Sequence, residues 1–228
     1  MLPGNLFDSQ PVHMSCEPIG IDAMVLRGFA CEAAAGLLET VACIAQAAPF
    51  RHMPTPNGHR TSVAMTNCGR FGWVSDRGGY RYAPLDPFSG KPWPPTPAHF
   101  QQLAVRAAAQ AGFDGFDPDA VLINRYQPGM RLSLHQDKDE RNKQAPIVSV
   151  SLGVPAIFLW GGLRRAERTR RVLLEHGDVV VWGGASRFVF HGVAPLKEQH
   201  HCLTGSSRIN LTFRCTGLTQ QHTLNCRE

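Results

Sequence analysis

Arg208-Ile209-Asn210-Leu211-Thr212-Phe213-Arg214 alternates polar and apolar residues without a fault. In an extended chain successive side chains point to opposite faces, so Arg208, Asn210, Thr212 and Arg214 share one face, and Ile209, Leu211 and Phe213 share the other. A solvent-facing edge strand would alternate too, but such faces usually mix Lys, Glu and Thr, whereas here two arginines flank an amide. The two arginine positions lie about 20 Å apart along an extended strand. Arms leaning inward from them can grip both ends of a short dicarboxylate. Burying a dianion is prohibitive unless its carboxylates meet cations and hydrogen-bond donors, and this face supplies both.

Outward from this strand the pattern is β as far back as Phe116. Candidate strands at 119–126, 146–152, 155–160, 171–175, 178–182 and 187–191 are separated by Pro128-Gly129, Gly161-Gly162, His176-Gly177 and Gly183-Gly184. Two helical segments come first. Residues 31–48 are rich in Ala and Leu, carry Leu37, Val41 and Ile44 on one stripe and stop before Pro49. Thr96-Pro97 reads as an N-cap followed by Pro at the first helical position, with Phe100, Leu103, Ala104, Ala107, Ala108 and Ala111 at helical spacing up to Gly112. Between them, about 51–95, Pro and Gly are frequent and Trp73, Tyr80 and Tyr82 lie close together, the character of short strands and loops forming a lid. The expected fold is α+β, mainly β: a jelly roll with two buttressing helices. Residues 1–20 read as an arm, 21–214 as a single domain and 215–228 as a tail without motif.

A chain of 228 residues that is 43% hydrophobic can bury one sizeable core. Its formal charge of +5, with arginines clustered between 164 and 171, favours a polyanionic partner. Seven cysteines, at 16, 31, 43, 68, 202, 215 and 226, form no C-x-x-C and argue against a disulfide framework or zinc knuckle. There is no basic leader followed by an apolar run, and no stretch of about 20 apolar residues, so a cytoplasmic protein with no membrane span is expected.

The chemistry concentrates in Leu134-His135-Gln136-Asp137-Lys138-Asp139-Glu140. With extended backbone, His135 and Asp137 point the same way and make a pair of metal ligands. Phe190-His191-Gly192, after an apolar run, offers a third. Two histidines and one carboxylate are the facial triad of non-haem Fe(II) oxygenases, which leaves three coordination positions open. Among ten histidines a lone His-x-Asp carries little weight, so its context decides. Asn124 and Tyr126, on one face of their strand, add donors near one end of the proposed dicarboxylate. His176 in Glu-His-Gly-Asp reads as a turn residue. His200-His201-Cys202 lacks the partner spacing of a zinc site and reads as loop surface.

Together these residues resemble the AlkB family of Fe(II)/2-oxoglutarate-dependent nucleic-acid dealkylases. The likeness covers most of the chain, including residues 62–69, Leu122 to Tyr126, Ala145 to Gly153, His176 to Gly184 and the R-x-N-x-T-F-R signature at 208–214. The resemblance implies that His135, Asp137 and His191 bind Fe(II), and that 2-oxoglutarate chelates the iron through its keto acid end near Arg214. Arg208, Asn124 and Tyr126 would hold its distal carboxylate, with Asn210 supporting the site. O₂ is then the co-substrate, and succinate, CO₂ and formaldehyde are products of demethylating 1-methyladenine and 3-methylcytosine. The lid becomes a nucleotide-recognition lid. Trp73 would sandwich the flipped base against His191, Asp139 would read its exocyclic amine and Tyr80 would contact the backbone phosphates. Met65, Tyr82 and Arg165 would fall at lid or pocket positions, Arg131 is the basic position just before the metal pair, and Lys138 would steer a phosphate-bearing substrate. The implied partners are single-stranded methylated DNA first, then duplex DNA and RNA, met by a monomer. Residues 70–80 diverge between their aromatics, which leaves lesion and strand preference open. Two rivals stand beside this: the same fold acting on an RNA modification or a protein side chain, and a silent nucleic-acid-binding jelly roll.

Overall fold

The computed structural model describes residues 15–219. Its elements in chain order are β1 (Cys16–Gly20), β2 (Ala23–Leu26), α1 (Ala34–Ala47), β3 (Ala64–Gly69), β4 (Gly72–Asp76), β5 (Gly79–Ala83) and α2 (Ala98–Gln110). There follow β6 (Ala120–Tyr126), β7 (Leu132–His135), β8 (Ile147–Gly153), β9 (Ala156–Trp160), β10 (Arg170–Leu174), β11 (Val179–Trp182), a 3-10 turn at Gly184–Ser186, β12 (His191–Val193) and β13 (Arg208–Arg214). The larger sheet has seven strands in the order β1-β2-β11-β8-β13-β6-β3, the smaller has four in the order β10-β9-β12-β7, and β4-β5 is a separate hairpin. Every pair is antiparallel.

The core has two layers. On one face of the larger sheet Val121, Ile123, Val148, Val150, Leu211 and Phe213 meet the apolar stripes of α1 (Leu37, Val41, Ile44) and α2 (Phe100, Leu103, Ala104, Ala107). On the other face Leu122, Tyr126, Ile147, Val180 and Trp182 meet Phe158, Trp160, Val172 and Leu174 of the smaller sheet. Strands covered on both faces suit the Val, Ile and aromatic residues that fill β8 and β11. Two facing antiparallel sheets with crossing connections are a double-stranded β-helix, the jelly roll. Strand β13 lies between β8 and β6 with all seven residues buried, so its alternation is that of a central strand and not of an edge.

Several sequence expectations shift. Cys16–Gly20, placed in the loose arm, pairs with β2 as an edge strand; residues 1–14 lie outside the described residues. The 51–95 span is only partly a lid. Its Ala64–Gly69 segment is wholly buried and pairs with β6 in the larger sheet, leaving the β4-β5 hairpin as the separate unit. The run 187–191 is mostly not a strand. Ser186 and Arg187 donate to Gly183 and Gly184 in a tight turn, Val189 donates to Ser186, Phe190 exchanges backbone bonds with Gly161 and Gly162, and the strand ladder begins at His191. Helix α2 takes Pro97, not Thr96, as its N-cap residue. The tail is docked at its start: Thr216 is fully buried and bonds both carboxylate oxygens of Asp119, while 220–228 lie outside the described residues.

Candidate metal centre and active site

Strands β12 and β7 pair so that His191 and His135 are register partners in the smaller sheet, with ring centroids 4.4 Å apart. Asp137 follows β7 by two residues and completes the cluster. Its Oδ1 lies 3.6 Å from His135 Nε2 and its Oδ2 lies 3.7 Å from His191 Nε2. Ligand atoms of the three residues fall within 4.8 Å of one another, the one such group of three among the described residues. Each imidazole donates from Nδ1 to a backbone carbonyl, Ser133 O at 2.9 Å for His135 and Val189 O at 3.0 Å for His191. A carbonyl only accepts, so Nδ1 carries the proton and both Nε2 lone pairs face the cluster. Burial, with His135 adding to it, pushes the His191 imidazole down to about 4, which keeps it a neutral donor.

Burial opposes ionisation of Asp137, but the Arg214 guanidinium outweighs it and holds its carboxyl well below the usual range. Arg214 Nη2 donates to both carboxylate oxygens at 3.0 and 3.1 Å. A buried ionised carboxylate flanked by two imidazoles that turn Nε2 toward it is the donor set of a divalent transition metal, and Fe(II) fits it.

Opposite this cluster runs the polar face of β13. Asn210 is fully engaged, donating to Ser149 Oγ at 2.8 Å and Val150 O at 3.0 Å and accepting from Asn124 and Thr212. Arg208 is not. It is 2% exposed, donates once, to Ser151 Oγ at 2.9 Å, and lies with its guanidinium carbon 5.0 Å from the centre of the Tyr126 ring. Its Nε and Nη1 have no partner among the described residues. A buried guanidinium with two idle donors is costly unless an anion joins it. The distal carboxylate of 2-oxoglutarate is such an anion. Asn124 donates one N–H of Nδ2 to Asn210, keeps its second N–H, and leaves Oδ1 unpartnered.

The hairpin carries Trp73 and Tyr82 as register partners, and Tyr80 stacks on Trp73 at 5.4 Å and 15°. Trp73 Nε1 donates to Asp139 Oδ2 at 2.9 Å, and Tyr82 Oη donates to Glu140 Oε1 at 2.5 Å. Met65 is buried between the sheets; Tyr80, Arg131, Lys138 and Arg165 are exposed, with Arg165 5.1 Å over the Phe190 ring next to His191. The expectation that a base lies against His191 does not agree with its surroundings. That ring is packed by Trp182, Phe158 and Trp160, and its side chain is 5% exposed. The accessible imidazole is His135, at 32%.

Two further residues belong to the site, Glu140 and Arg187. Glu140, 3% exposed, meets Tyr82, Arg187 Nη2 at 2.9 Å and Arg214 Nε at 3.4 Å. Arg187 is equally buried and touches the backbone on both sides of the metal loop. Glu140 stood inside the quoted motif, but an acid among charged neighbours reads as surface; Arg187 had no signal. The two decoys behave as expected. His176 Nδ1 accepts from Gly153 N at 3.0 Å and its ring stacks on His201 at 4.3 Å, and neither belongs to the metal-binding group.

The model of the 2OG-Fe(II) oxygenase superfamily matches residues 22–214. The chain is 58% identical over 198 residues to the alpha-ketoglutarate-dependent dioxygenase AlkB of Salmonella typhimurium, covering 87% of this chain and 92% of that protein. It is 57% identical over 201 residues to the same dioxygenase of Escherichia coli, covering 88% and 93%. A solved structure of OsALKBH1 superposes with a TM-score of 0.77 at 27% identity, covering 88% of this chain and 99% of that one.

Proposed function

This chain belongs to the 2OG-Fe(II) oxygenase superfamily and, within it, to the AlkB dioxygenases, and on that premise we propose that it removes methyl groups from 1-methyladenine and 3-methylcytosine in nucleic acid. It is a dioxygenase with Fe(II) and 2-oxoglutarate as cofactors. Bound Fe(II), 2-oxoglutarate and O₂ supply the oxidation of the N-methyl group, with succinate, CO₂ and formaldehyde leaving.

The protein's own residues bind, orient and shield. His135, Asp137 and His191 hold the metal. Arg208, with Tyr126 and Asn124 beside it, holds the distal carboxylate, Arg214 lies near the keto acid end, and Asn210, which accepts from Asn124 Nδ2, keeps that amide in place. Trp73 supplies one face of the base slot, and His135, the open imidazole, supplies the other in place of His191. Asp139, two residues past the ligand Asp137, meets the exocyclic amine.

The observation that supports this substrate class is the Trp73–Asp139 pair at 2.9 Å, an aromatic face and a carboxylate beside the metal cluster. A methylated ring that cannot pair is cheap to flip, and its positive charge suits both groups. Tyr80, Lys138, Arg131 and Arg165, exposed around the mouth, contact phosphates, while Met65 and Tyr82 line the pocket. We infer a cytoplasmic monomer that prefers single strands and also takes duplex DNA and RNA.

The test is formaldehyde release from a single-stranded oligonucleotide with one 1-methyladenine, given Fe(II), 2-oxoglutarate and O₂, beside an Asp137→Ala control. Formaldehyde from the wild type alone is expected. Turnover of 2-oxoglutarate with the methyl group left in place would move the target to another molecule.

A further inference from the structure

The metal loop, Gln136 to Pro146, has no regular structure of its own, yet it carries Asp137, Asp139 and Glu140. Something else must fix it. Arg187, from the turn that precedes β12, reaches into it with all three guanidinium nitrogens engaged. Nη1 donates to Asp137 O at 2.5 Å, Nη2 to Glu140 Oε2 at 2.9 Å and Nε to Ala145 O at 3.1 Å. These acceptors stand at the start, middle and end of the loop. The side chain is 2% exposed, so water does not compete for any of them. Glu140 in turn meets Tyr82 of the hairpin and Arg214 of β13, and Arg214 holds Asp137.

We propose that Arg187 is a positioning residue that sets the distance between the metal-binding carboxylate of Asp137 and the base-facing carboxylate of Asp139. It touches neither the metal nor the base. It grips the backbone of the residue that binds the metal and the side chain of the residue next to Asp139, so one rigid planar group controls both. Lysine keeps the charge but offers one nitrogen, which cannot reach three acceptors held in a fork. The assignment of Asp139 to the base rests on the function proposed above; the hold on Asp137 does not.

The experiment compares wild type, Arg187→Lys and Arg187→Ala in three readouts: Co(II) affinity from its visible absorption, the ratio of succinate to formaldehyde formed with 1-methyladenine oligonucleotide, and thermal unfolding. Groups that orient metal ligands through hydrogen bonds typically change metal affinity by roughly 10–100-fold. We expect Arg187→Lys to stay folded, to bind Co(II) at least tenfold more weakly and to raise the succinate-to-formaldehyde ratio. Methylguanidinium should partly restore both in Arg187→Ala. A folded Arg187→Lys with wild-type Co(II) affinity and wild-type ratio overturns the proposal, as does an Arg187→Ala that loses only melting temperature. If wild type makes no formaldehyde from any methylated oligonucleotide, the nucleic-acid reading fails by itself, and Co(II) affinity with 2-oxoglutarate turnover still decides the role of Arg187.

Discussion

Arg208 keeps a charge that the folded chain leaves partly unanswered, and this gives it two opposite effects. In the ligand-free protein its two idle donors are a standing cost, since taking an ion out of water is unfavourable by several kcal/mol unless partners answer it. In the function proposed above, the same donors become the partners of bound 2-oxoglutarate. Arg208→Met should therefore melt no lower than wild type without ligand, yet show a Michaelis constant for 2-oxoglutarate at least tenfold higher, read by thermal unfolding and succinate release. A lower melting temperature would mean that Arg208 has a partner the structure lacks. Asp137 is the converse case. It answers Arg214 and, through the loop, the Glu140 cluster, so Asp137→Ala should lose both activity and stability. At this scale the sequence was informative wherever alternation was strict: Arg208, Asn210 and Arg214 could be assigned to one face before any coordinates. Arg187 could not, because an arginine between a serine and a phenylalanine has no pattern, and its importance comes from three acceptors distant in sequence.

At the level of elements, the β4-β5 hairpin brings Trp73, Tyr80 and Tyr82 over the metal loop, and it leans on Trp93, whose indole donates to Ala83 O at 3.0 Å. Gly72 opens the hairpin against that indole, where an added Cβ would come within 2.3 Å of the ring. Gly72→Ala should tilt the hairpin away from Asp139. We expect the Michaelis constant for methylated oligonucleotide to rise several-fold while the constant for 2-oxoglutarate stays put, which separate titrations of the two substrates will show. The elements differ in how readable they were. Both helices show an apolar stripe that packs on one sheet face, so periodicity identified them. Strand β3, Ala-Met-Thr-Asn-Cys-Gly, is covered on both faces and therefore lacks the alternation that marks a half-exposed strand, which is why it was taken for lid. Phe188-Val189-Phe190 erred the other way. It looks like a strand because it is apolar, but its apolarity serves packing, with Val189 in the layer between the sheets.

For the molecule as a whole, ligand and proton both act on the folding equilibrium. Metal with 2-oxoglutarate binds only the folded state, so a hundredfold excess over its dissociation constant should add about 2.7 kcal/mol of stability, and chelation should remove it again. Thermal melts with and without EDTA will check this. Acid works through histidines that burial keeps neutral, and away from the metal cluster that histidine is His176. Burial, and His201 stacked beside it, lower its pKa from the ordinary value, and its Nδ1 is committed to accepting from Gly153. Glu175 and Asp178 flank it on its own turn, and Cys31 packs on its backbone from the loop before α1. Below about pH 6.5 the unfolded chain takes up a proton that the folded imidazole resists, so its contribution is complete above that pH and is lost as the pH falls. His176→Asn keeps an acceptor for Gly153 but does not titrate. Urea unfolding at pH 7.5 and pH 5.5 should lose less stability in that variant than in wild type. The arrangement of β13 has a further consequence. Both arginines proposed to meet the co-substrate are mounted on one central strand whose register is locked by partners on either side. Deleting any single residue between them would rotate one arginine onto the helix-facing layer while its twin stayed in place. Natural variation can thus adjust this gauge by changing side chains but not by changing its length, and the stretch from 208 to 214 should tolerate substitution far better than insertion or deletion.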